Sequence, residues 1–306
     1  MEKANEQIGI YDDACVIHWK EGNAMVRTLT ELDTCWNFIN EINADPAFSE
    51  PMLQTKEQIE CNLTEALTSR DRVPLGVFSD GEMTGLFVFL ILEDESYIEM
   101  LVGLSKEPAA YEEIADWLQV QYRGYQVDFV FNPKNTVILD MLRRRGAAFY
   151  PEQFKMVLTE DCPAVDTTGI EPLSPAYEDQ YVALHATDLY WTGERILKAL
   201  DTFRVFLAVD GGTVVGYIDV TKNNEENEPF DFLVKKDRRR MGWGRKLLYK
   251  AIEVNRPKSM MVIVDVDNAP AIALYRSMGF TDSSEPQSQV ATWNIDRSDP
   301  GESLSE

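Results

Sequence analysis

The sequence predicts an α/β fold made of two similar halves, and three observations point to it. Each half contains two strand-like apolar runs joined by a tight turn, at Asp80-Gly81 in the first half and at Asp210-Gly211 in the second. Each hairpin is followed by a further apolar run, a helical segment, a β-rich run and a second helical segment.

The third observation is a helix signature that occurs once in each half. A helix-starting asparagine, Asn135 or Asn268, stands eleven residues before a helix-ending glycine, Gly146 or Gly279. The two asparagines are 133 residues apart and the two hairpin turns are 130 residues apart. Nearly equal offsets favour an internal duplication, and the alternative is a chance likeness between two α/β halves.

Composition places the chain among globular proteins and limits its partners. The 306 residues are 44% apolar and 26% charged, which is enough material for about two domains. The net charge of −23 would repel nucleic acids and anionic membrane surfaces, whereas a cationic or amine-bearing partner fits. The longest apolar run, Leu86 to Leu92, is too short to span a bilayer and predicts a buried strand.

Cysteine usage and the start of the chain indicate a reducing, cytoplasmic location. The stretch "MEKANEQIGIYDD" lacks a basic region followed by an apolar one. No two cysteines have CxxC or metal-ligand spacing, so no metal site is expected. The cysteines are Cys15, Cys35, Cys61 and Cys162.

The domain boundaries follow from composition. The Pro- and Thr-containing stretch 161–169 is typical of a linker, which gives a first domain over 1–160 and a second over 170–296. The polar ending 297–306 is typical of a flexible tail.

The second half supplies its elements in an order that places the motifs. Helices are predicted over 175–188 and over 192–200, the latter with Thr192 as N-cap. The later elements are a hairpin over 203–209 and 213–220, a strand over 230–234, a helix over 242–254, a strand over 260–266, a helix over 270–278 and a strand over 289–295. Strand, loop, helix and strand form a βαβ unit, so the two strands around the helix should be parallel neighbours or nearly so.

A glycine loop, "RRRMGWGRKLL", connects that strand to that helix. A helix N-terminus exposes unpaired N–H groups, and glycines let an anion approach the backbone, so the loop could bind phosphate with help from Arg239 and Arg240. It is no Walker A motif, because no Gly-Lys-Ser/Thr follows, and Leu247 occupies the third glycine position of the dinucleotide fingerprint. The RxxGxG pattern alone does not decide the function.

Two motifs together resemble the GNAT N-acetyltransferases. "VKKDRRRMGWG" is similar to the [Q/R]xxGx[G/A] loop of that family, and "VDVDNAPAIALYRSMGF" to its NxxAxxLYxxxGF motif. The resemblance covers 170–296 and extends to the first half only through the hairpin and a degenerate helix motif. It implies two tandem GNAT-like domains, each with a mixed, mostly antiparallel central sheet flanked by helices.

The resemblance implies acetyl-CoA as the cofactor. The backbone N–H groups of 239–244 would bind the pyrophosphate, the edge of the 232–234 strand would pair with the pantetheine arm, and Asn268 would hydrogen-bond that arm. The implied cofactor-binding residues are Phe232, Leu233, Val234, Arg239, Arg240, Met241, Gly242, Trp243, Gly244, Asn268 and Tyr275. Trp243 is expected to cover the helix with its side chain. One departure is Lys236, where the family often has proline.

Acetyl transfer to an amine requires one group that removes a proton and one that returns a proton to the leaving thiolate. The resemblance implies that Tyr275 is the donor, close to the thioester sulfur; a packed aromatic residue is the alternative. The resemblance also implies Glu228 as the base, because the family often has a glutamate at this position, six residues before Val234. Asp231 competes with it and should lie on the opposite strand face, because side chains alternate. A solvated surface position is the other interpretation of Glu228.

The resemblance implies that the connection "DLYWTGER" lies over the acceptor site. Tyr190 and Trp191 are candidates for substrate contact, with packing under a loop as the alternative. His185, on the preceding amphipathic helix, is expected to be structural.

The first half is expected to lack the phosphate-binding loop and the proton donor. The position equivalent to Arg239 is Pro108, surrounded by Glu107, Glu112 and Glu113, which would repel a phosphate. The position of the tyrosine hydroxyl is Leu142. One competent site is therefore predicted, in the second half.

The predicted function is transfer of acetyl from acetyl-CoA to a primary amine of a small molecule by direct attack in a ternary complex. The alternatives are a protein or peptide N-acetyltransferase and a non-catalytic acetyl-CoA-binding protein. The expected state is a monomer whose halves form a pseudo-dimer, with a homodimer as the alternative.

Overall fold

The computed structural model describes residues 18–21, 24–185 and 191–295. By its internal contacts the chain forms two compact units. Of the described residues, those within Met1–Glu152 and Glu285–Glu306 form unit 1, and those within Gln153–Ser284 form unit 2.

Strands and helices of the described residues are numbered in chain order. The strands are β1 (His18–Glu21), β2 (Ala24–Thr28), β3 (Arg72–Ser79), β4 (Glu82–Leu92), β5 (Tyr97–Leu104), β6 (Gln126–Phe131), β7 (Ala148–Leu158), β8 (Ile170–Pro172), β9 (Phe203–Asp210), β10 (Thr213–Thr221), β11 (Glu226–Asn227), β12 (Pro229–Val234), β13 (Ser259–Asp265), β14 (Phe280–Asp282) and β15 (Ser288–Asn294). The α-helices are α1 (Trp36–Asn43), α2 (Lys56–Ile59), α3 (Pro108–Gln121), α4 (Thr136–Arg144), α5 (Glu178–Leu184), α6 (Gly193–Lys198), α7 (Trp243–Asn255) and α8 (Ala269–Arg276).

Unit 1 is built on a sheet with the strand order β1-β2-β3-β4-β5-β6-β15. Its neighbours are antiparallel except β5 and β6, which are parallel. Strand β4 is apolar on both faces, because Phe87 and Phe89 pack with Trp117 of α3 on one side. Leu86 and Val88 pack on the other side with the core that contains α1. Both faces of the sheet are therefore covered, which explains the continuous apolar run predicted as a buried strand.

Unit 2 contains an antiparallel sheet of order β12-β10-β9-β8 and a second strand group in which β13 pairs with β7 and β11. Helix α7 buries Leu247, Leu248, Ala251 and Ile252 in one core. Strand β10 alternates between two cores: Ile218 faces that of α7, whereas Tyr217 faces the core formed with α5 and α6. The predicted fold class is confirmed: mixed, mostly antiparallel sheets are flanked by helices.

The duplicated helix signature has the predicted geometry in both units. The Asn135 side chain accepts hydrogen bonds from the N–H groups of Val137 and Ile138, and the Asn268 side chain accepts one from Ala271. The glycines that end the two helices, Gly146 and Gly279, have left-handed φ angles of 72° and 95°. Helix α5 is shorter than predicted: it ends at Leu184, and residues 186–190 lie outside the described residues.

The compact units do not coincide with the two sequence halves. From residue 153 onward, β7 pairs with β13 and β14 of unit 2, whereas β15, at the end of the second half, pairs with β6 of unit 1. Each half therefore contributes its last strand to the other unit. The predicted linker 161–169 contains no helix or strand and belongs to unit 2 by its contacts.

Candidate functional site

A gap between two strands defines the candidate site of unit 2. The chain first runs parallel to β13 as β11, with Glu226 opposite Ser259 and Asn227 opposite Met260. It then leaves β13 and continues as β12, which pairs with β10 alone among the strands described. The predicted parallel neighbours thus begin together and diverge. Their divergence leaves Phe232, Leu233 and Val234 on an edge that has no strand partner among the described residues, where an extended ligand can pair as an added strand.

The glycine loop closes one end of this gap. No side chain caps the N-terminus of α7, and its N-cap residue, Gly242, has a left-handed φ of 88°. A Cβ atom built on Gly242 would meet nothing within 4 Å, so the space above it is open. Arg240 is also left-handed, with a φ of 62°. The exposed amides carry the partial positive charge of a 13-residue helix, which suits a phosphate group.

Gly244 brings the helix close to the strand. A Cβ atom there would lie 3.3 Å from Phe232 Cζ and 3.9 Å from Val234 Cγ2. The side chain of Leu274, on α8, would be 3.6 Å away. Glycine at this position therefore lets the start of α7 pack directly against the end of β12.

The side chains of the loop divide between structural and exposed roles. Arg239 donates from Nε to the carbonyl of Val234 at 3.1 Å, whereas Arg240 and Met241 are exposed. Lys236 lies in a short 3-10 helix, Lys236–Arg238. The Trp243 ring packs against Gly169, and Lys246 Nζ is 5.3 Å from the ring centroid.

Tyr275 and Asn268 are both on or next to α8 but differ in burial. Asn268 is exposed, and its amide oxygen caps the helix. Tyr275 is 8% exposed and packs against Phe280 with ring centroids 5.7 Å apart. Burial, and then the charge of Asp231, raise the pKa of Tyr275 to about 12. Its phenol is consequently protonated at neutral pH, as a proton donor must be.

Glu228 lies between β11 and β12 and is partly buried. Its N–H donates to the Thr221 hydroxyl at 2.9 Å. Burial raises the pKa of Glu228 to about 7, although the charge of Lys155 opposes the rise. Lys155 itself is buried and forms a 2.6 Å ion pair with Glu226. A carboxyl group with this pKa can exchange protons near neutrality.

The prediction that Asp231 lies on the opposite strand face from Glu228 is wrong. Asp231 pairs with Asp219 of β10, but the next pair is Val220 with Pro229, so a bulge makes Phe230 an extra residue. The N–H of Thr221 then donates to the carbonyl of Glu228 at 3.0 Å. Asp231 is thus opposite Asp219, and Glu228 is opposite Thr221. Asp219 and Thr221 are two residues apart on β10 and share one face, so the bulge puts Glu228 and Asp231 on the same face of the sheet.

A buried hydrogen-bonded centre, whose members other than His185 were not expected from the sequence, adjoins Asp231. His185 Nε2 is 2.8 Å from Asp219 Oδ2 and 3.5 Å from Asp231 Oδ2. The hydroxyl of Tyr181 donates to Asp219 at 2.9 Å, and that of Tyr217 donates to Asp231 at 2.5 Å. Burial raises the pKa of Asp219, whereas His185 opposes this. His185 thus holds two facing carboxylates together.

The predicted acceptor residues are only partly covered by the structure. Trp191 is half-buried, and its ring contacts that of Phe203 with centroids 5.0 Å apart. Tyr190 lies outside the described residues.

The equivalent edge of unit 1 is filled by its own side chains. Strand β5 pairs with β6 only over Tyr97–Met100 and is open beyond that. Within this open part, the N–H of Gly103 donates to Glu50 at 2.9 Å, and its carbonyl accepts from the Tyr111 hydroxyl at 3.1 Å. Asn135, the counterpart of Asn268, donates to the Tyr111 oxygen at 2.9 Å.

Two other differences were predicted for unit 1: acidic residues near the position of the phosphate-binding loop, and Leu142 in place of the Tyr275 phenol. Leu142 is fully buried. Glu112 forms ion pairs with Arg144 and Arg145 at 2.5 and 2.9 Å, so its charge is largely balanced locally. The missing loop was predictable from the sequence, but the roles of Glu50 and Tyr111 were not, because neither residue belongs to a motif.

Comparisons with known proteins agree with this geometry. The model of the acetyltransferase (GNAT) family matches residues 170–280. A GCN5-related N-acetyltransferase from Sphaerobacter thermophilus is 15% identical, with a TM-score of 0.62 over 90% of this chain and 97% of that one. A tandem GNAT protein from the clavulanic acid biosynthesis pathway is 16% identical, with a TM-score of 0.52 over 90% of this chain and all of that one (100%). A GCN5-related N-acetyltransferase from Kribbella flavida is 17% identical, with a TM-score of 0.52 over 81% of this chain and 97% of that one.

These structural likenesses establish the fold. A search of curated protein sequences finds no match. Within the part of the chain that the structure describes, no helix is long and apolar enough to cross a membrane.

Proposed function

Because residues 170–280 match the model of the acetyltransferase (GNAT) family, we propose that the chain transfers an acetyl group from acetyl-CoA to a primary amine of a small molecule. The observation that carries this proposal is the unpaired edge of β12 beside the uncapped N-terminus of α7. The acceptor nitrogen attacks the thioester carbonyl directly, with both substrates bound at once.

The residues of unit 2 fit coenzyme A. The free edge over Phe232–Val234 suits the amide-bearing pantetheine arm, and the amides of 239–244 suit its pyrophosphate. The open space above Gly242 and the close packing of Gly244 bring these two features together. When bound, acetyl-CoA supplies the activated acetyl group as a thioester.

Two side chains move the protons. Glu228 accepts a proton from the attacking amine, because its pKa of about 7 makes it available as a base near neutrality. Tyr275 donates the proton that converts the departing thiolate to a thiol, because its phenol stays protonated. A nitrogen–carbon bond forms, the carbon–sulfur bond breaks, and solvent returns the proton from Glu228 to Tyr275.

The proposal is tested by acetyl-CoA binding followed by an acceptor screen. Acetyl-CoA at about 100 times its Kd should stabilise the protein by about 2.7 kcal/mol in thermal unfolding. Thiol release should then exceed background with small primary amines. Arg240→Glu should weaken binding at least tenfold, since it places a negative charge beside the phosphates.

Arg143→Glu is the matched control. It makes the same charge change at an exposed residue of unit 1, and acetyl-CoA binding should be unchanged. Absence of stabilisation by acetyl-CoA would refute the cofactor, and thiol release with lysine peptides alone would refute the small acceptor.

A further inference from the structure

Two carboxylates of different character lie on one face of the candidate site. The bulge places Glu228 opposite Thr221 and Asp231 opposite Asp219 on β10. Two residues of an antiparallel strand span about 7 Å, so the two carboxylates originate about this distance apart. A small acceptor can reach both at once.

Asp231 is held in place, whereas Glu228 is not held by comparable contacts to its carboxylate. Asp231 accepts from the Tyr217 hydroxyl at 2.5 Å and from the backbone N–H of Phe232 at 2.7 Å. His185 Nε2 lies 3.5 Å from it. A carboxylate fixed by several donors keeps its orientation, which suits it for binding a cation at a defined position.

Asp231 is also more exposed to solvent than His185 and Asp219, the other charged residues of the buried centre. Its side chain is 19% exposed, whereas those of His185 and Asp219 are 1% and 0% exposed. Asp231 directly precedes the Phe232–Val234 edge of β12, and its charge contributes to the raised pKa of Tyr275. The ligand that meets Asp231 is therefore the acceptor.

The charges of the centre favour a positive group. Asp219 and Asp231 are directly opposite across an antiparallel pair, an arrangement that like charges destabilise. Even a protonated His185 would balance only one of these two carboxylates. A cation beside Asp231 would balance the other.

A metal ion fits this centre less well than an organic ammonium group. One nitrogen of His185, one oxygen of Asp219 and one oxygen of Asp231 do lie within 4.8 Å of one another. However, His185 Nε2 is at hydrogen-bond distance from Asp219, and the other Asp219 oxygen accepts from Tyr181. Both Asp231 oxygens also accept hydrogen bonds. Donors that already occupy every oxygen leave little room for coordination, whereas an ammonium group adds one more hydrogen bond.

On the premise of the proposed function, we propose that Asp231 determines specificity by binding a second ammonium group of the acceptor, whose class is short aliphatic diamines. One amino group faces Glu228 and is acetylated. The other pairs with Asp231 and keeps all its protons.

The reaction balances for such a substrate. The reacting amine loses one proton to Glu228, its nitrogen forms the bond to the acetyl carbon, and the carbon–sulfur bond breaks. Tyr275 supplies the proton to the thiolate. The products are a mono-acetylated diamine and coenzyme A, and the ammonium at Asp231 is unchanged.

The test compares diaminobutane with butylamine, which has the same chain and one amino group. With acetyl-CoA and the full chain, kcat/KM for the diamine should be about 10–100-fold higher, the effect expected of one charged hydrogen bond. Asp231→Asn should abolish this preference, because it should lower kcat/KM for the diamine about 10–100-fold more than kcat/KM for butylamine. Glu228→Gln should lower kcat for both amines and retain the preference.

Two further variants keep the test decisive. Asp231→Glu preserves the charge but lengthens the arm, so the preference should shift from diaminobutane towards diaminopropane. Asp201→Asn removes an exposed carboxylate elsewhere in unit 2 and should leave the preference unchanged. Thermal unfolding with coenzyme A should show greater stabilisation by diaminobutane than by butylamine in the native chain, and equal stabilisation in Asp231→Asn.

The outcomes separate the two proposals. Equal use of both amines, or a preference that survives Asp231→Asn, overturns the role of Asp231 but leaves acetyl transfer intact. Activity that is lost with a chelator and restored by a divalent metal also overturns it. If acetyl-CoA neither stabilises the chain nor is consumed with any amine, the proposed function itself fails.

Discussion

The two units handle the same strand edge in opposite ways. In unit 1 the open part of β5 is filled, because Glu50 accepts from the N–H of Gly103 and Tyr111 donates to its carbonyl. In unit 2 the edge of β12 has no strand partner among the described residues. Side chains meet two backbone groups of this edge as well, because the Phe232 N–H donates to Asp231 and the Val234 carbonyl accepts from Arg239. The contrast is therefore that buried side chains fill the edge of unit 1, whereas the partners at the edge of unit 2 are an exposed arginine and a partly exposed aspartate.

The loops and helix caps show the same contrast. Three residues, 105–107, connect β5 to α3, whereas eight residues, 235–242, connect β12 to α7. Asn135 is 3% exposed and donates its amide to Tyr111, but Asn268 is exposed and uses its oxygen for the cap. A duplicated fold can thus keep its capping and packing while only one copy keeps the features that fit a cofactor.

The largest expected effect comes from removing the proposed donor of unit 2. Tyr275→Phe should lower kcat by about 10²–10⁴-fold, the usual contribution of general acid catalysis, with acetyl-CoA binding unchanged. Steady-state kinetics and thermal shift measure the two quantities. Leu142→Ala at the corresponding position of unit 1 destabilises the fold without a specific loss of kcat; similar kcat losses in both variants would contradict the contrast.

The next effect is the pH dependence of the proposed base. Protonated Glu228 cannot accept a proton, so kcat/KM should fall about tenfold per pH unit below about 7 and level off above it. Glu228→Gln should remove this dependence, whereas Asp231→Asn should retain it. A profile of Glu228→Gln that matches the native profile would exclude Glu228 as the base.

A smaller effect is expected from opening the filled edge of unit 1. Tyr111→Phe leaves the carbonyl of Gly103 and the amide of Asn135 without their phenol partner. The free energy of unfolding should fall by about 1–3 kcal/mol, because both groups are buried. Tyr150→Phe, at a residue that is 55% exposed, is the control and should have little effect. Acetyl-CoA affinity should not change. Increased binding would mean that the hydrogen bonds at Gly103 alone had prevented unit 1 from binding acetyl-CoA.

The smallest effect is a pH dependence of stability that originates in Glu50. Burial raises the pKa of Glu50 to about 8, from 4.5 in an exposed chain. Between these values the folded state holds a proton that the unfolded state releases, so stability should decrease as pH rises from about 4.5 to 8. Calorimetry should show a loss of about 1 kcal/mol or more over this range, and Glu50→Gln should flatten it. A native stability that rises with pH while Glu50→Gln shows the same slope would contradict this assignment.

Local features of the fold were predictable from sequence, and long-range ones were not. The caps at Asn135 and Asn268 and the start of α7 near Gly242 depend on neighbouring residues, so their sequence signals were sufficient. The sequence did not predict that β7 pairs with strands of unit 2 and β15 with a strand of unit 1, because an apolar strand has the same pattern in either unit. A local pattern determines whether a strand forms but does not determine its partner.

The candidate site shows the same division. The glycine loop and Tyr275 were predictable because their spacing is a motif. The placement of Asp231 was wrong because a bulge at Phe230 interrupts the alternation, and nothing in the sequence marks it. Glu50 was missed because it meets Gly103, 53 residues away in the chain, through a single carboxylate.

Calorimetric titration of the full chain with acetyl-CoA tests the difference between the units most directly. The stoichiometry should be one acetyl-CoA per chain, and Gly244→Glu should abolish binding, because its side chain would project against Phe232 and Val234. Two molecules per chain, or one molecule bound with undiminished affinity after that substitution, would contradict the assignment of a single site to the open edge of β12.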